Sequence, residues 1–223
     1  MIILTRGLLA AAVTVPLLTA ATPAGAEPAP ARERVNLAVE QAIDALPTAA
    51  ESRAGYKRSS FKHWIDADKD GCTTRQEVLI EEAIEEPVIG TGCSLTDGTW
   101  RSYYDGKTTD NPRSLDIDHM VPLAEAWDSG ASQWSAKKRE RYANDLGSPS
   151  SLVAVTARSN RQKADKDPAE WWVPAKDASC QYLADWVATK TRWKLAVDQT
   201  EKQALTSRAV ECSGTRVAAD IAH

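Results

Sequence analysis

Two adjacent side chains, Asp118 and His119, lie in the short apolar run LDIDHMVP and together could support acid–base or metal chemistry. The chain has only three histidines, so an imidazole beside a carboxylate in such a run requires an explanation. The run predicts a strand over 115–119, and neighbouring residues of a regular strand point to opposite faces. Asp118 and His119 could share one site only if the strand ends or twists here, and Pro122, which cannot continue a central strand, favours an end.

A second group of polar side chains follows a second apolar run, LVAVTA, which predicts a strand over 152–157. Asn160 and Lys163 come just after this strand and lie one turn apart on one face of a short predicted helix. Between the two strands, the segment ASQWSAKKRERYANDLG is expected to be helical. The predicted order is therefore a strand with Asp-His, the intervening segment between the two strands (here called the excursion), a second strand, and a helix with Asn in its first turn.

These residue types suit the hydrolysis of a phosphodiester. A base must deprotonate water, and a divalent cation must bind a non-bridging oxygen and the leaving oxygen. His119 has the chemistry of the base, and Asp118 and the amide oxygen of Asn160 are hard oxygen ligands of the kind that Mg²⁺ prefers. Lys163 shares a helix face with Asn160, so we expect its positive charge close to the bound phosphate.

The motifs DIDHMVP and LVAVTARSNRQKADKDPAEWW resemble the HNH nucleases of the ββα-metal fold. The similarity is strongest to the C-terminal nuclease domain of GmrSD-type restriction enzymes and to the small secreted HNH proteins of actinomycetes. Its core covers about 115–172, and a wider similarity that includes DGCTTRQEVL and DGTWRSYYDG extends from about Tyr56 to the C-terminus. The resemblance implies an α+β fold over 56–223, with a ββα-metal core and flanking helices.

The resemblance also implies roles for individual residues. It implies that His119 is the general base, that Asp118 binds the metal, and that the metal ligand on the helix is Asn160, where many relatives have His. The expected cofactor is a divalent cation, Mg²⁺ first, with Mn²⁺, Ca²⁺ and Zn²⁺ as alternatives. Two residues remain candidates for the middle position of the motif, namely Asn144 and Ser151.

Asp116 is the second carboxylate of the LDIDH run, and its expected role is different from that of Asp118. We expect it to point away from Asp118 in a regular strand and to support the fold or a loop.

The first 26 residues have the features of an export signal. Arg6 gives a basic start, the apolar stretch GLLAAAVTVPLLTAA follows, and AGA at 24–26 offers small residues for cleavage. The mature chain is expected to begin near Glu27, with a leader and a helix within 27–55. Nothing later in the sequence is long and apolar enough to span a membrane, so the expected location is extracellular.

Four cysteines fit an exported protein, in which an even number is typical of disulfides. The segments 180–194 and 198–212 predict helices of similar length joined by a short link, so they should run antiparallel. This arrangement brings Cys180 beside Cys212. By the same reasoning Cys72 pairs with Cys93, because the chain after Pro87 is long enough to return along the helix that precedes it.

The formal net charge of −4 is unusual for a protein that binds polyanions. If nucleic acid is the partner, a local basic patch must bind it. DNA is the preferred expectation and RNA stays open, as do the sequence preference and the oligomeric state.

The segment DADKDGCTTRQE fits the calcium-loop pattern, whose ligand positions fall on Asp66, Asp68, Asp70 and Glu77. The alternative is an Asp-rich turn ahead of a helix predicted over about 74–86, with a capping box formed by Thr74 and Glu77. A rival function follows from the calcium reading: a calcium-stabilised extracellular binding protein whose nuclease core is inactive.

Two further elements are predicted outside the motifs. The spacing of Leu37, Val39, Ile43 and Leu46 predicts a helix over 35–47. The stretch TGCSLTDGTWRSYYDG predicts a single β-hairpin with Asp97 and Gly98 at its turn.

Overall fold

The computed structural model of the chain describes residues 33–222, so the predicted export signal lies outside the described residues. The described part is a mixed α and β fold with eight strands and seven α-helices. The strands are β1 Arg34–Ala38, β2 Val88–Gly90, β3 Ser94–Thr96, β4 Trp100–Ser102, β5 Lys107–Thr109, β6 Leu115–His119, β7 Leu152–Thr156 and β8 Arg216–Asp220. The helices are α1 Val39–Ala45, α2 Thr74–Glu81, α3 Leu123–Asp128, α4 Ala136–Ala143, α5 Ala157–Lys163, α6 Ser179–Trp193 and α7 Gln199–Ala209.

The strands form four small antiparallel sheets, each of two strands: β1 with β8, β2 with β3, β4 with β5, and β6 with β7. Sheets of two strands are not stable alone, so they depend on packing against helices. Helix α6 is the centre of this packing, and its apolar face buries Tyr182, Leu183, Trp186, Val187 and Trp193. No described helix is long and apolar enough to cross a membrane.

The unit that positions the candidate chemistry consists of β6, β7 and α5. The two strands pair antiparallel with Asp118 opposite Val153 and His119 opposite Leu152. Helix α5 begins directly after β7, where Thr156 caps it by accepting a hydrogen bond from the Ser159 amide. The strand, excursion, strand and helix thus occur in the order and at the positions predicted from the sequence.

Asp105, which lies between β4 and β5, fixes the start of α5 through hydrogen bonds. Its carboxylate accepts hydrogen bonds from the hydroxyls of Thr156, at 2.8 Å, and Ser159, at 3.1 Å. These hydroxyls hold the pKa of Asp105 below its usual value, against the effect of burial. The small β4–β5 sheet therefore sets the position of the helix that carries Asn160 and Lys163.

The predicted helix over 35–47 is half wrong, because residues 34–38 form strand β1 and only Val39–Ala45 is helical. Strand β8 pairs with β1 in a register that sets Leu37 opposite Val217. The local spacing did not indicate the strand, because its partner lies about 180 residues away in sequence. This pairing also joins the segment expected as a leader to the rest of the fold.

The predicted single hairpin is also wrong. Asp97 and Gly98 connect β3 to β4, which do not pair with each other. Two separate hairpins form, and each turns at a glycine in the left-handed region, Gly92 for β2–β3 and Gly106 for β4–β5. Several turn signals lie close together in this stretch, and the pattern alone did not distinguish them.

The helix predicted over 74–86 is shorter, since α2 ends at Glu81. Its capping box is formed by Thr73 and Gln76, one residue before the predicted pair. After α2, Glu85 forms an isolated β-bridge with Thr99, which directs the chain toward the hairpins.

Both predicted disulfides are confirmed. Cys72 is bonded to Cys93 with a Cα–Cα distance of 5.1 Å, and Cys180 to Cys212 with a distance of 5.3 Å. The second bond joins α6 to the turn that follows α7, as the antiparallel arrangement of the two helices requires. The described residues contain no free cysteine.

A buried ion cluster holds α3, α6 and α7 together. The Lys190 ammonium is fully buried and lies 2.7 Å from the carboxylates of both Glu125 and Glu201. Glu51 joins the cluster, so three carboxylates surround one ammonium. Burial, and then the negative charge of Glu125, raises the pKa of Glu51 to about 8.

We predict that Glu51→Gln flattens the dependence of stability on pH. Between its ordinary pKa of 4.5 and about 8, Glu51 binds a proton in the folded state and not in the unfolded state. The free energy of unfolding of the wild type therefore falls as pH rises through that window. Because the side chain is half-buried, solvent screening reduces the effect to about 1–2 kcal/mol. Glutamine cannot ionise, so the variant should melt a few degrees above the wild type at pH 9.

Thermal melts between pH 5 and pH 9 would measure this difference. Glu40→Gln, at an exposed position on α1, is the matched control and should keep the pH dependence of the wild type. Identical slopes for wild type and Glu51→Gln would show that Glu51 does not carry the extra proton.

Candidate active site

A cavity of about 310 Å³ lies between the end of β6, the first turns of α5 and a short 3₁₀ turn at Arg58–Ser60. Asp118, His119 and Asn160 all line it. Three side chains that are up to 42 residues apart in sequence therefore share one wall, as the sequence predicted.

A larger cavity, of about 490 Å³, lies between α4 and the end of α6. Its acidic groups already have partners, because Asp145 is 2.7 Å from Arg192 and Glu140 is 2.6 Å from Lys137. Its described wall contains no histidine. The smaller cavity, which has an imidazole and oxygen atoms without donors, is thus the candidate active site.

Asp118 is buried in the wall with one oxygen bound and the other available. Its Oδ2 accepts hydrogen bonds from the hydroxyl of Tyr104, at 2.6 Å, and from Nζ of Lys163, at 2.7 Å. Among the described residues, none donates to Oδ1. The carboxylate is therefore held in one orientation by Oδ2 while Oδ1 can accept a metal ion or a water molecule.

Lys163 lies beneath the site, not in it. Its side chain has no exposed surface, and Nζ also donates to the backbone carbonyl of His119 at 3.0 Å. Burial lowers the pKa of Lys163 and raises that of Asp118, and the contact between the two opposes both effects. The expected position beside the phosphate is wrong, because a fully buried ammonium acts on Asp118 instead.

His119 is the last residue of β6, and its backbone and ring are both fixed. Nε2 lies 3.0 Å from the carbonyl oxygen of Ala143, and because a carbonyl only accepts, Nε2 carries the proton. The ring lies between Trp64, at 5.3 Å, and Tyr142, at 6.3 Å. Burial lowers the pKa of His119 to about 3, so the imidazole is neutral and Nδ1 has a free electron pair.

Asp118 and His119, the last two residues of β6, both line the cavity. The strand stops at His119, and Pro122 precedes helix α3 as its N-cap residue. This is the strand end that Pro122 predicted.

Asn160 on α5 lines the cavity, and its amide nitrogen is occupied. Nδ2 donates to Oδ2 of Asp116 at 3.1 Å, and no described residue donates to Oδ1. Asp116 is also 3.8 Å from Nε of Arg161. The expectation that Asp116 points away from Asp118 is wrong, because residues i and i+2 of a strand share a face. Its expected supporting role agrees with its contact to Asn160.

Asn144 does not reach the cavity, and its amide is saturated by four hydrogen bonds. It donates to the carbonyls of Lys62 and Glu140, and it accepts from the amide of Ile65 and the hydroxyl of Thr74. Asn144 directly follows Ala143, whose carbonyl fixes the tautomer of His119. Its contribution to the site is to hold this loop in place.

Ser151 is buried behind the strands, where its hydroxyl donates to Asp145 at 2.7 Å. Asp145 also accepts two hydrogen bonds from Arg192 and one from the indole of Trp193. Ser151 therefore joins the strand pair to α6. It contacts neither the cavity nor His119.

Sequence reasoning missed three residues that shape the cavity: Tyr104, Trp64 and Arg58. Tyr104 binds Asp118, Trp64 covers His119, and Arg58 lines the wall. Tyr104 lies in the DGTWRSYYDG stretch, 14 residues before Asp118, whereas Trp64 and Arg58 lie farther from 115–163 and outside the quoted motifs. A sequence signal for them would have required knowledge of the tertiary contacts.

The Asp-rich loop before α2 brings its carboxylates together. Asp66, Asp68 and Asp70 offer oxygen atoms within 4.8 Å of one another, and Glu77 lies close to Asp70. Burial, followed by the charges of the three aspartates, raises the pKa of Glu77. The three aspartates form one group and Asp70 links it to Glu77, at a position separate from the cavity.

The model of the family "GmrSD restriction endonucleases, C-terminal domain" matches residues 73–208 of the chain. An "Uncharacterized secreted protein" of the fungus Arthroderma benhamiae (strain ATCC MYA-4681 / CBS 112371) is 41% identical over 158 residues, which cover 71% of this chain and 76% of that protein. No solved structure matches. The secreted relative and the two disulfides confirm the predicted extracellular location. The chain belongs to the family of GmrSD restriction endonuclease C-terminal domains.

Proposed function

We propose that this protein is a secreted, metal-dependent endonuclease of the HNH type that hydrolyses phosphodiester bonds of nucleic acid, with DNA as the expected substrate. In this proposal β6, β7 and α5 form a ββα-metal core. One observation carries it: Asp118, His119 and Asn160 line a single cavity, and each keeps an acceptor atom to which no described residue donates. The family match supports the nuclease class.

The two oxygen atoms suit a hard divalent cation. Mg²⁺ is usually held by one or two protein oxygens, with phosphate and water completing the shell. Oδ1 of Asp118 and Oδ1 of Asn160 are of this kind, and Tyr104, Lys163 and Asp116 hold them in orientation. A bound cation would supply Lewis-acid stabilisation of the charge that develops on the phosphate.

His119 is suited to take the proton in this reaction. The oxygen of a water molecule attacks phosphorus while Nδ1 of His119 accepts one of the water protons. The bond between phosphorus and the leaving ester oxygen breaks, and that oxygen takes a proton from solvent. The carbonyl of Ala143 keeps the proton on Nε2, so Nδ1 is ready to accept.

Binding of the polyanion is proposed to depend on a local patch. Arg158, Arg161 and Lys166 are exposed on and just after α5, although the chain has a formal net charge of −4. Few phosphates would be neutralised, so affinity should fall only moderately as the salt concentration rises.

The rival function, an extracellular binding protein stabilised by calcium, is favoured by the carboxylate cluster of the Asp-rich loop. We propose that Asp66, Asp68, Asp70 and Glu77 bind Ca²⁺, which needs six to eight oxygen ligands. The loop is separate from the cavity, so calcium binding is compatible with either function. Activity, not calcium binding, distinguishes the two.

We predict that His119→Ala lowers the cleavage rate by about 10²–10⁴-fold, because the general base is lost. The rate would be measured on plasmid DNA with Mg²⁺ and with EDTA, and melting curves would test folding. His223→Ala is the control, since it removes an imidazole outside the LDIDH motif. Cleavage by His119→Ala within a few-fold of the wild-type rate would exclude His119 as the base.

We predict that Asn160→Ala raises the metal concentration needed for half-maximal cleavage by at least about tenfold, because a ligand oxygen is lost. Asn160→Asp keeps an oxygen at this position and should restore metal affinity. Titration with Mg²⁺ and Mn²⁺, followed by cleavage and by calorimetry, measures both variants. An unchanged metal dependence in Asn160→Ala would remove Asn160 from the ligand set.

We predict that Ca²⁺ raises the melting temperature through the Asp-rich loop. At about 100 times the dissociation constant, binding adds about 2.7 kcal/mol, or about 5–10 °C for a chain of this size. Asp68→Ala should abolish the shift, because it removes a calcium ligand. The loop itself should stay intact, because Asp68 accepts only one weak hydrogen bond within it, at 3.4 Å. Asn160→Ala should keep it, and a shift that survives Asp68→Ala would place the calcium elsewhere.

A further inference from the structure

The carboxylates on the wall of the candidate active site are already paired with positively charged side chains. Asp118 is 2.7 Å from Lys163, and Asp165, which also lines the cavity, is 3.6 Å from Arg53. The negative charge of the wall is therefore compensated without the two arginines that line the same cavity.

These two arginines, Arg58 and Arg161, differ in their surroundings. Arg161 is 3.8 Å from the carboxylate of Asp116. Arg58 has no carboxylate within ion-pair distance among the described residues. Its charge also acts on His119, where it adds to the lowering of the imidazole pKa. The cavity thus contains an uncompensated positive charge beside the proposed base, which is an arrangement suited to an anionic ligand.

The backbone that carries Arg58 is anchored on the core. Phe61, at the end of the 3₁₀ turn, is fully buried, and its ring packs against Trp127 and Tyr142 at 6.4 and 6.1 Å. Arg139 also donates a hydrogen bond to the carbonyl of Ser60. Because Tyr142 stacks on His119 as well, the turn has a fixed position relative to the imidazole.

We infer that Arg58 is a further catalytic residue, which binds the non-bridging oxygens of the scissile phosphate. The inference rests on the proposed nuclease function and extends it to the residue that binds the phosphate. A guanidinium presents a planar pair of donors that matches two phosphate oxygens. Its positive charge stabilises the negative charge that grows as water adds and the ester bond breaks.

Arg58 differs from its neighbour Lys57 in one respect that matters for a test. Both side chains are exposed and positively charged, and only Arg58 lines the cavity. A general attraction to polyanions would depend on both charges alike. A contact with the reacting phosphate would depend on Arg58 alone.

The test compares Arg58→Ala, Arg58→Lys and Lys57→Ala in the mature chain, with kcat and KM measured on a DNA duplex in Mg²⁺. Arg58→Ala should lower kcat by about 10²–10³-fold with little change in KM, as for the loss of a donor to a developing oxyanion. Arg58→Lys should recover part of the rate, because it keeps the charge and loses the paired donors. Lys57→Ala should keep kcat, and all three variants should melt as the wild type does.

Two outcomes separate this inference from the proposed function. If the wild type cleaves DNA and Arg58→Ala cleaves within about threefold of its rate, the role of Arg58 is overturned and the nuclease function stands. If the wild type cleaves neither DNA nor RNA with any divalent cation, the nuclease function fails. A catalytic role of Arg58 then fails with it, because there is no reacting phosphate for the guanidinium to contact.

Discussion

The buried ion pair between Lys163 and Asp118 is the interaction on which the candidate site depends. One ammonium fixes the carboxylate of Asp118 and the backbone carbonyl of His119, and it joins α5 to the end of β6. The desolvation of two charges is expensive, so such a pair contributes little net stability, and the loss of one partner costs about 3–5 kcal/mol. The main effect of the pair is to orient the carboxylate of Asp118, because it occupies Oδ2 and leaves Oδ1 without a donor.

The proposed base is oriented by a different part of the chain. The Ala143 carbonyl that selects the tautomer of His119 lies at the end of α4, in the excursion between β6 and β7. Asn144 fixes this carbonyl by tying the loop to residues 62–74. The excursion is thus part of the site, and the segment before α2 supports it. The rigidity of the base is a property of tertiary contacts, not of the motif alone.

The sequence was sufficient for the parts of the fold whose signals are local. Strands β6 and β7, the end of β6 before Pro122 and the antiparallel pair α6–α7 follow from composition, proline chemistry and link length, and both disulfides follow from the resulting geometry. Strand β1 was mistaken for a helix because its partner β8 lies at the other end of the described chain. In the site, Lys163 was assigned to the correct face, but its burial depends on Tyr104, Trp186 and the sheet, which no spacing encodes.

The pairing of β1 with β8 imposes an order of events on a chain that emerges N-terminus first. Residues 34–38 appear early, and their hydrogen-bonding edge stays unmatched until residues 216–220 follow. Contacts of such long sequence separation form late and slowly. The mature fold can therefore close only after almost the whole described chain has been delivered. Until then residues 34–38 lack their partner strand, and completion of the domain depends on the arrival of residues 216–220.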